Sequence, residues 1–145
     1  MEILDDAARL RAAVARFHRR LRAEQEGGLG TARAGALGCL WREGPMTAGA
    51  LAARQGLQPQ SVTRLLADLD AGGLVTRSTD PADRRRSLIT ITAAGVTALQ
   101  RYVRPQEAWL AKALAARLSE TERGVLRLAA ALLDRLAEED GLMGR

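Results

Sequence analysis

Between Pro45 and Thr92 the spacing of apolar residues changes from the period of a helix to that of a strand, and no other stretch restricts the fold as much. Val62, Leu65, Leu66 and Leu69 recur at i, i+3, i+4 and i+7, one apolar stripe at helical period. Pro59 stands where a first helical residue is expected, and Gly72-Gly73 where the chain leaves the helix. The side away from the stripe displays Gln60, Ser61, Thr63 and Arg64. These are short or forked hydrogen-bonding groups of the kind that read base edges in a major groove. Upstream, Thr47 can cap a short helix to Arg54 whose small residues, Ala48, Gly49, Ala50 and Ala53, suit close packing. The Gln55-Gly56-Leu57-Gln58 turn joins the two in a helix-turn-helix layout.

After Gly73, Leu74 to Arg77 and Ser87 to Ile91 are β-rich runs. Between them lie Ser78 to Asp83 and then Arg84-Arg85-Arg86, so a hairpin with a long charged tip is expected, a wing. An arginine triplet is by itself most often an exposed turn. Behind a helix-turn-helix it becomes a groove probe, because arginine is drawn to the enhanced negative potential of a narrow minor groove.

The flanks are helical. Leu10, Val14, Phe17 and Leu21 form a stripe between Leu4 and about Glu26, ended by Gly27-Gly28-Leu29-Gly30. Thr31 is expected to cap a second helix through Arg42, and Thr92 a long one to about Leu118 that Pro105 bends or splits. Ser119 and Glu122 have capping-box spacing for a last helix carrying Val125, Leu126, Leu132, Leu133 and Leu136. These terminal helices hold more apolar positions than a small winged lobe can cover. The expected architecture is mainly α with a small β-hairpin wing: an N-terminal dimerisation helix in 1–30, a winged helix-turn-helix lobe in 31–92, and C-terminal dimerisation helices in 93–145.

Composition narrows the function. The 145 residues carry a formal net charge of +5, and Lys112 is the only lysine, so the basic excess is arginine. Two readings compete: a coding bias favouring Arg over Lys would explain the lysine shortage without functional meaning, whereas the positive excess itself fits an anionic partner, nucleic acid first among them. One cysteine, Cys39, and one histidine, His18, argue against a disulfide framework and against metal sites built on thiolates or several imidazoles. No apolar run has membrane-spanning length, and Met1 to Asp6 is acidic, unlike a secretion signal, so a cytoplasmic protein is expected. No cofactor or metal is expected. Neither a nucleophile motif, a paired-carboxylate site nor a phosphate-cradling loop is visible, which argues against an enzyme.

The order of elements together with the wing resembles the MarR family of bacterial transcription regulators. The resemblance spans essentially the whole chain. Its most specific part is Asp83-Arg84-Arg85 followed by Ile91-Thr92 and Gly95, where the family has Asp-x-Arg, five residues and Leu-Thr; Ile91 is a mild departure. Leu29-Gly30-Thr31, Leu51-Ala52, and Leu69 through Gly73-Leu74-Val75 also agree.

The resemblance implies a homodimer of winged subunits acting on double-stranded DNA at a palindromic operator, as a repressor released by a small aromatic or lipophilic effector or by an oxidant. It implies that Asp83 pairs with Arg85 and aims it into the minor groove, with Arg84 and Arg86 on phosphate or in solvent. Gln60, Ser61, Thr63 and Arg64 are the major-groove candidates, and backbone amides near Thr47 and at the helix start of Pro59 the phosphate contacts. Phe17, Trp41, Tyr102 and Trp109 are candidates for an effector pocket, or plain core. Cys39 reads as a buried, inert thiol, since the family's thiol sensors place their cysteine in the first helix, which here has none. The competing function is a winged-helix protein-interaction module without operator binding, supported by Arg64 being the one strongly basic side chain on the recognition helix.

Overall fold

A computed structural model describes residues 1–138. Six helices and one hairpin follow in the order α1 (Glu2–Arg22), α2 (Thr31–Glu43), α3 (Ala48–Gln55), α4 (Pro59–Ala71), β1 (Val75–Thr79), β2 (Ser87–Ile91), α5 (Ala93–Arg117) and α6 (Glu120–Ala137). The chain forms two compact units, Met1–Gln106 and the remainder from Glu107.

In the first unit, short-range chemistry sets most boundaries. Thr47 Oγ1 accepts the Ala50 amide at 3.1 Å, satisfying one of the orphan donors at the start of α3. Gly56 ends α3 in the left-handed region (φ 59, ψ 33), which residues with a Cβ rarely adopt. Pro59 opens α4 as expected.

Other boundaries differ from the sequence reading. Thr31 is the first residue of α2, not its cap; Gly30, at φ 78 and ψ 157, takes the cap position and no side chain caps the end. The chain must turn there through positive φ, which glycine allows and threonine does not. α1 ends at Arg22, earlier than expected, and β1 starts at Val75 and reaches Thr79. Pro105 does not split α5, which runs through it from Ala93 to Arg117. In the turn around this proline, Gln106 Nε2 donates to the Tyr102 carbonyl at 3.1 Å.

The core is aliphatic. Leu37, Leu40, Leu51, Val62, Leu66, Leu69, Val75 and Ile89 are all nearly or wholly inaccessible. The α4 stripe is therefore buried as one face against α2, α3 and the hairpin. β1 and β2 pair antiparallel, with Val75 opposite Ile91, Arg77 opposite Ile89 and Thr79 opposite Ser87. The free edge of β2 is used too. Met46, in the α2–α3 connection, exchanges two backbone bonds with Ile89, at 3.2 and 2.8 Å.

A second tie joins the end of α4, the end of β2 and the start of α5. The Thr92 amide donates to the Leu74 carbonyl at 3.0 Å, and its hydroxyl donates to the Gly73 carbonyl at 2.6 Å while accepting the Gly95 amide at 3.0 Å. This confirms Thr92 as the cap of α5. Gly95 is buried here, and a Cβ on it would lie 2.7 Å from Ile91 Cγ1 and closer still to the Leu74 carbonyl oxygen.

In the second unit, α6 opens with a complete capping box. The Ser119 amide donates to Glu122 Oε2 at 2.8 Å, and Ser119 Oγ accepts the Glu122 amide at 3.3 Å. The bonds from the Ser119 amide and hydroxyl hold the Glu122 carboxyl below its ordinary range. No residue of α6 is buried, and Val125, Leu126, Leu128, Leu132, Leu133 and Leu136 are exposed.

The packing at Gly95 leads to a stability prediction. Gly95→Ala gains helix propensity but drives its Cβ into the Leu74 backbone and the Ile91 side chain, so the loss from overpacking, about 2 kcal/mol, dominates. Urea unfolding followed by circular dichroism should show a lower midpoint. A midpoint equal to or above that of the parent would refute the close approach.

Candidate nucleic-acid interface

The α4 stripe is buried and the polar side is not: Gln60, Ser61, Thr63 and Arg64 are all exposed. Thr63 Oγ1 donates to the Pro59 carbonyl at 2.9 Å, which leaves the hydroxyl lone pairs and the methyl outward. Gln60, Ser61 and Arg64 line an open cleft of about 740 Å³ whose other wall is the turn before α2 and its first residues, from Gly28 to Arg33. Arg33 crosses this cleft to Asp68 of α4 at 3.2 Å. Both side chains are well exposed, so the pair contributes little stability, but it sets where a cation stands beside the α4 face. Sequence reasoning missed Arg33 and Asp68, because the pairing is long-range and neither residue belongs to a motif.

The two phosphate candidates are separated by chemistry. Thr47 Oγ1 accepts the Ala50 amide in its helix cap, so the donors left at the start of α3 are the backbone amides ahead of Ala50 and the Thr47 O–H, which the cap does not use. Pro59 has no N–H, so at the start of α4 the amides of Gln60 and Ser61 are the ones without an intrahelical acceptor.

The wing tip spans residues 80–86 between β1 and β2. Arg84, Arg85 and Arg86 are exposed and Asp83 is half-buried. The expected side-chain pair of Asp83 with Arg85 is not what the structure contains. Asp83 Oδ2 faces Arg86 Nε at 3.5 Å, and Asp83 Oδ1 accepts the Arg85 backbone amide at 3.0 Å. The carboxylate reaches the amide two residues on through a short Asx turn, so it is the main chain of Arg85 that it holds. Asp83 thus holds the Arg85 main chain, while its ion pair is with Arg86.

The effector-pocket candidates are not drawn together around this cleft. Phe17 is 47% and Trp41 59% exposed, whereas Tyr102 is buried and its hydroxyl accepts from Gln25 Nε2 and faces Thr31 Oγ1. Trp41 falls on the solvent side of α2 because Leu37 and Leu40 take the inward side. Trp109 belongs to the second unit.

Cys39 is 1% exposed, with Sγ 2.9 Å from Glu43 Oε2. Burial, then the hydrogen bond and charge of Glu43, push the thiol up to about 11. His18 is exposed on α1. Among the described residues no group of three or more His, Cys, Asp or Glu side chains is placed to hold a metal, and no helix is long and apolar enough to cross a membrane.

A helix-turn-helix with a wing and an exposed polar recognition face defines a class of DNA-binding regulators. Residues 28–86 match the model of the MarR family. An HTH-type transcriptional regulator of Mycobacterium tuberculosis (strain CDC 1551 / Oshkosh) is 37% identical over 142 residues, covering 94% of this chain and 99% of that protein. A solved chain from Pseudomonas aeruginosa, assigned to the transcriptional regulators, is 34% identical with a TM-score of 0.77, covering 96% of this chain and 98% of that one. A MarR family protein from Bacillus stearothermophilus, 22% identical, shares the fold with a TM-score of 0.77 over 94% of this chain and 96% of its own. This chain belongs to the MarR family. It is a transcriptional regulator with a winged helix-turn-helix, in a family of regulators rather than enzymes.

The thiol environment yields a prediction. At neutral pH Cys39 is protonated and covered, so a thiol-specific reagent should modify the native protein far more slowly than the urea-unfolded chain. Because its folded pKa lies above the unfolded value of 9.0, its contribution to stability is present below pH 9 and lost as pH rises toward about 11. Native and unfolded labelling rates that coincide would rule out this environment.

Proposed function

We propose that the chain acts as a homodimeric, ligand-responsive repressor on a palindromic operator. The observation that carries this is the division of α4 into a buried aliphatic stripe and an exposed Gln60, Ser61, Thr63 and Arg64 face. In this reading α4 enters the major groove, Arg85 at the wing tip enters the adjacent minor groove, and Arg84 and Arg86 run beside phosphates. Amides at the starts of α3 and α4 take further phosphate oxygens.

The dimer reading is supported by apolar side chains exposed on the terminal helices: Leu10, Val14 and Phe17 on α1, and Leu126, Leu132 and Leu133 on α6. A second copy of the chain is the occupant that brings matching stripes. Two neighbours of the same fold support the partners. A point mutant of MepR from S. aureus, 20% identical with a TM-score of 0.59, is bound to an oligodeoxyribonucleotide. DNA binding by BpsR of Bordetella bronchiseptica, 23% identical with a TM-score of 0.65, is regulated by 6-hydroxynicotinic acid. For this chain the effector class is a small aromatic or lipophilic molecule.

The test is a fluorescence-anisotropy titration of the purified protein with DNA from beside its own gene, at two salt concentrations and against scrambled competitor. The expected result is competitor-resistant binding of two chains per site, with half-sites roughly 10 base pairs apart and steep loss of affinity with salt. Arg85→Ala should weaken operator binding by about 1–3 kcal/mol and leave the fold intact. Weak binding that is equal for operator candidates and scrambled DNA, repeated with genome-selected fragments, would instead favour a protein-interaction module.

A further inference from the structure

The wing tip is held by a second carboxylate. Asp80 Oδ1 accepts the Ala82 amide at 2.9 Å, and the Asp80 amide donates to the Arg86 carbonyl at 2.9 Å. The Arg86 amide in turn donates to the Asp83 carbonyl at 2.9 Å, and Asp83 Oδ1 takes the Arg85 amide. Two Asx turns therefore run in series, one over 80–82 and one over 83–85, closed at the neck by the backbone bond between Asp80 and Arg86. Pro81 has no N–H to donate, the Asp80 carboxylate bonds the Ala82 amide beyond it, and the fixed φ of proline sets the first turn. Asp80 and Asp83 are half-buried in this tip while the three arginines are exposed.

Placed beside DNA, a carboxylate at this position repels phosphate. Its cost to binding is offset only if its geometry serves the contact. We propose that Asp80 is a positioning residue for DNA binding: it shapes the entry to the wing tip so that Arg85 is presented to the minor groove, and it does so as a hydrogen-bond acceptor rather than as a charge. This rests on the wing contact proposed above.

Charge and geometry have opposite signs here, which makes them separable. Asp80→Asn removes the charge but keeps an acceptor for the Ala82 amide; Asp80→Ala removes both. Operator affinity by anisotropy titration is expected to fall roughly three- to tenfold for Asp80→Ala, the range for one net hydrogen bond. For Asp80→Asn it should equal or exceed the parent's, because a repulsive charge is gone. In an Arg85→Ala background, Asp80→Ala should add little further loss, since the side chain it positions is absent. Circular dichroism and thermal midpoints of all four proteins check that the fold is kept.

Equal tightening by Asp80→Ala and Asp80→Asn would overturn the proposal and make Asp80 a solvated charge. A full extra loss in the Arg85→Ala background would also overturn it, because the residue would then act on the domain and not through Arg85. The Arg85→Ala protein alone reads the underlying assumption: unchanged affinity there removes the wing contact itself, whereas a loss there with none for Asp80→Ala removes only the role of Asp80.

Discussion

The position of the wing depends on Ile89. Its side chain is wholly buried in the core, it stands opposite Arg77 of β1 in the ladder, and its amide and carbonyl exchange two bonds with Met46 between α2 and α3. A slip of one residue in β2 would turn Ile89 outward, put Leu88 or Thr90 in its place and break both bonds to Met46. The hairpin is thereby bound in register to the helices that carry the reading face. A two-stranded sheet is marginal by itself, so this third pairing and the buried side chain give the wing the rigidity that its own ladder lacks.

From that anchor the same economy of contacts runs outward. Thr92 links the end of α4 to the start of α5 through one hydroxyl, and Gly95 lets the chain approach the Leu74 carbonyl without a Cβ in the way. Farther out, where no apolar side chain can pin the loop, side-chain carboxylates take over and bond the backbone amides of the tip. Apolar burial holds the base of the wing, and Asx turns hold its end. Among the described residues the ion pairs beside the reading surfaces engage Arg33 and Arg86 and not Arg64 or Arg85.

Much of this was legible in residue order because it depends on short-range chemistry. The α4 stripe, Pro59 at its start, the Thr47 cap and the Ser119–Glu122 capping box are each defined within a few residues. The misreadings share a cause as well. Thr31 has the chemistry of a cap, yet the turn before it needs the positive φ of Gly30. The family resemblance implied an Asp83–Arg85 ion pair, but the turn puts the amide of Arg85, not its guanidinium, at the carboxylate. Trp41 belongs by hydropathy to the inside of α2, and Leu37 and Leu40 occupy that side.

The sequence by itself determined that this chain builds a winged helix-turn-helix of the MarR family, because period, caps and turn residues are local and mutually consistent. Tertiary structure alone decided that Met46 pairs with Ile89, that Arg33 crosses to Asp68, and which carboxylate oxygen meets which group at the wing tip. Those contacts join residues distant in sequence or differ by a single rotation within a turn. Neither is encoded by residue type or spacing until the aliphatic core has brought the elements together.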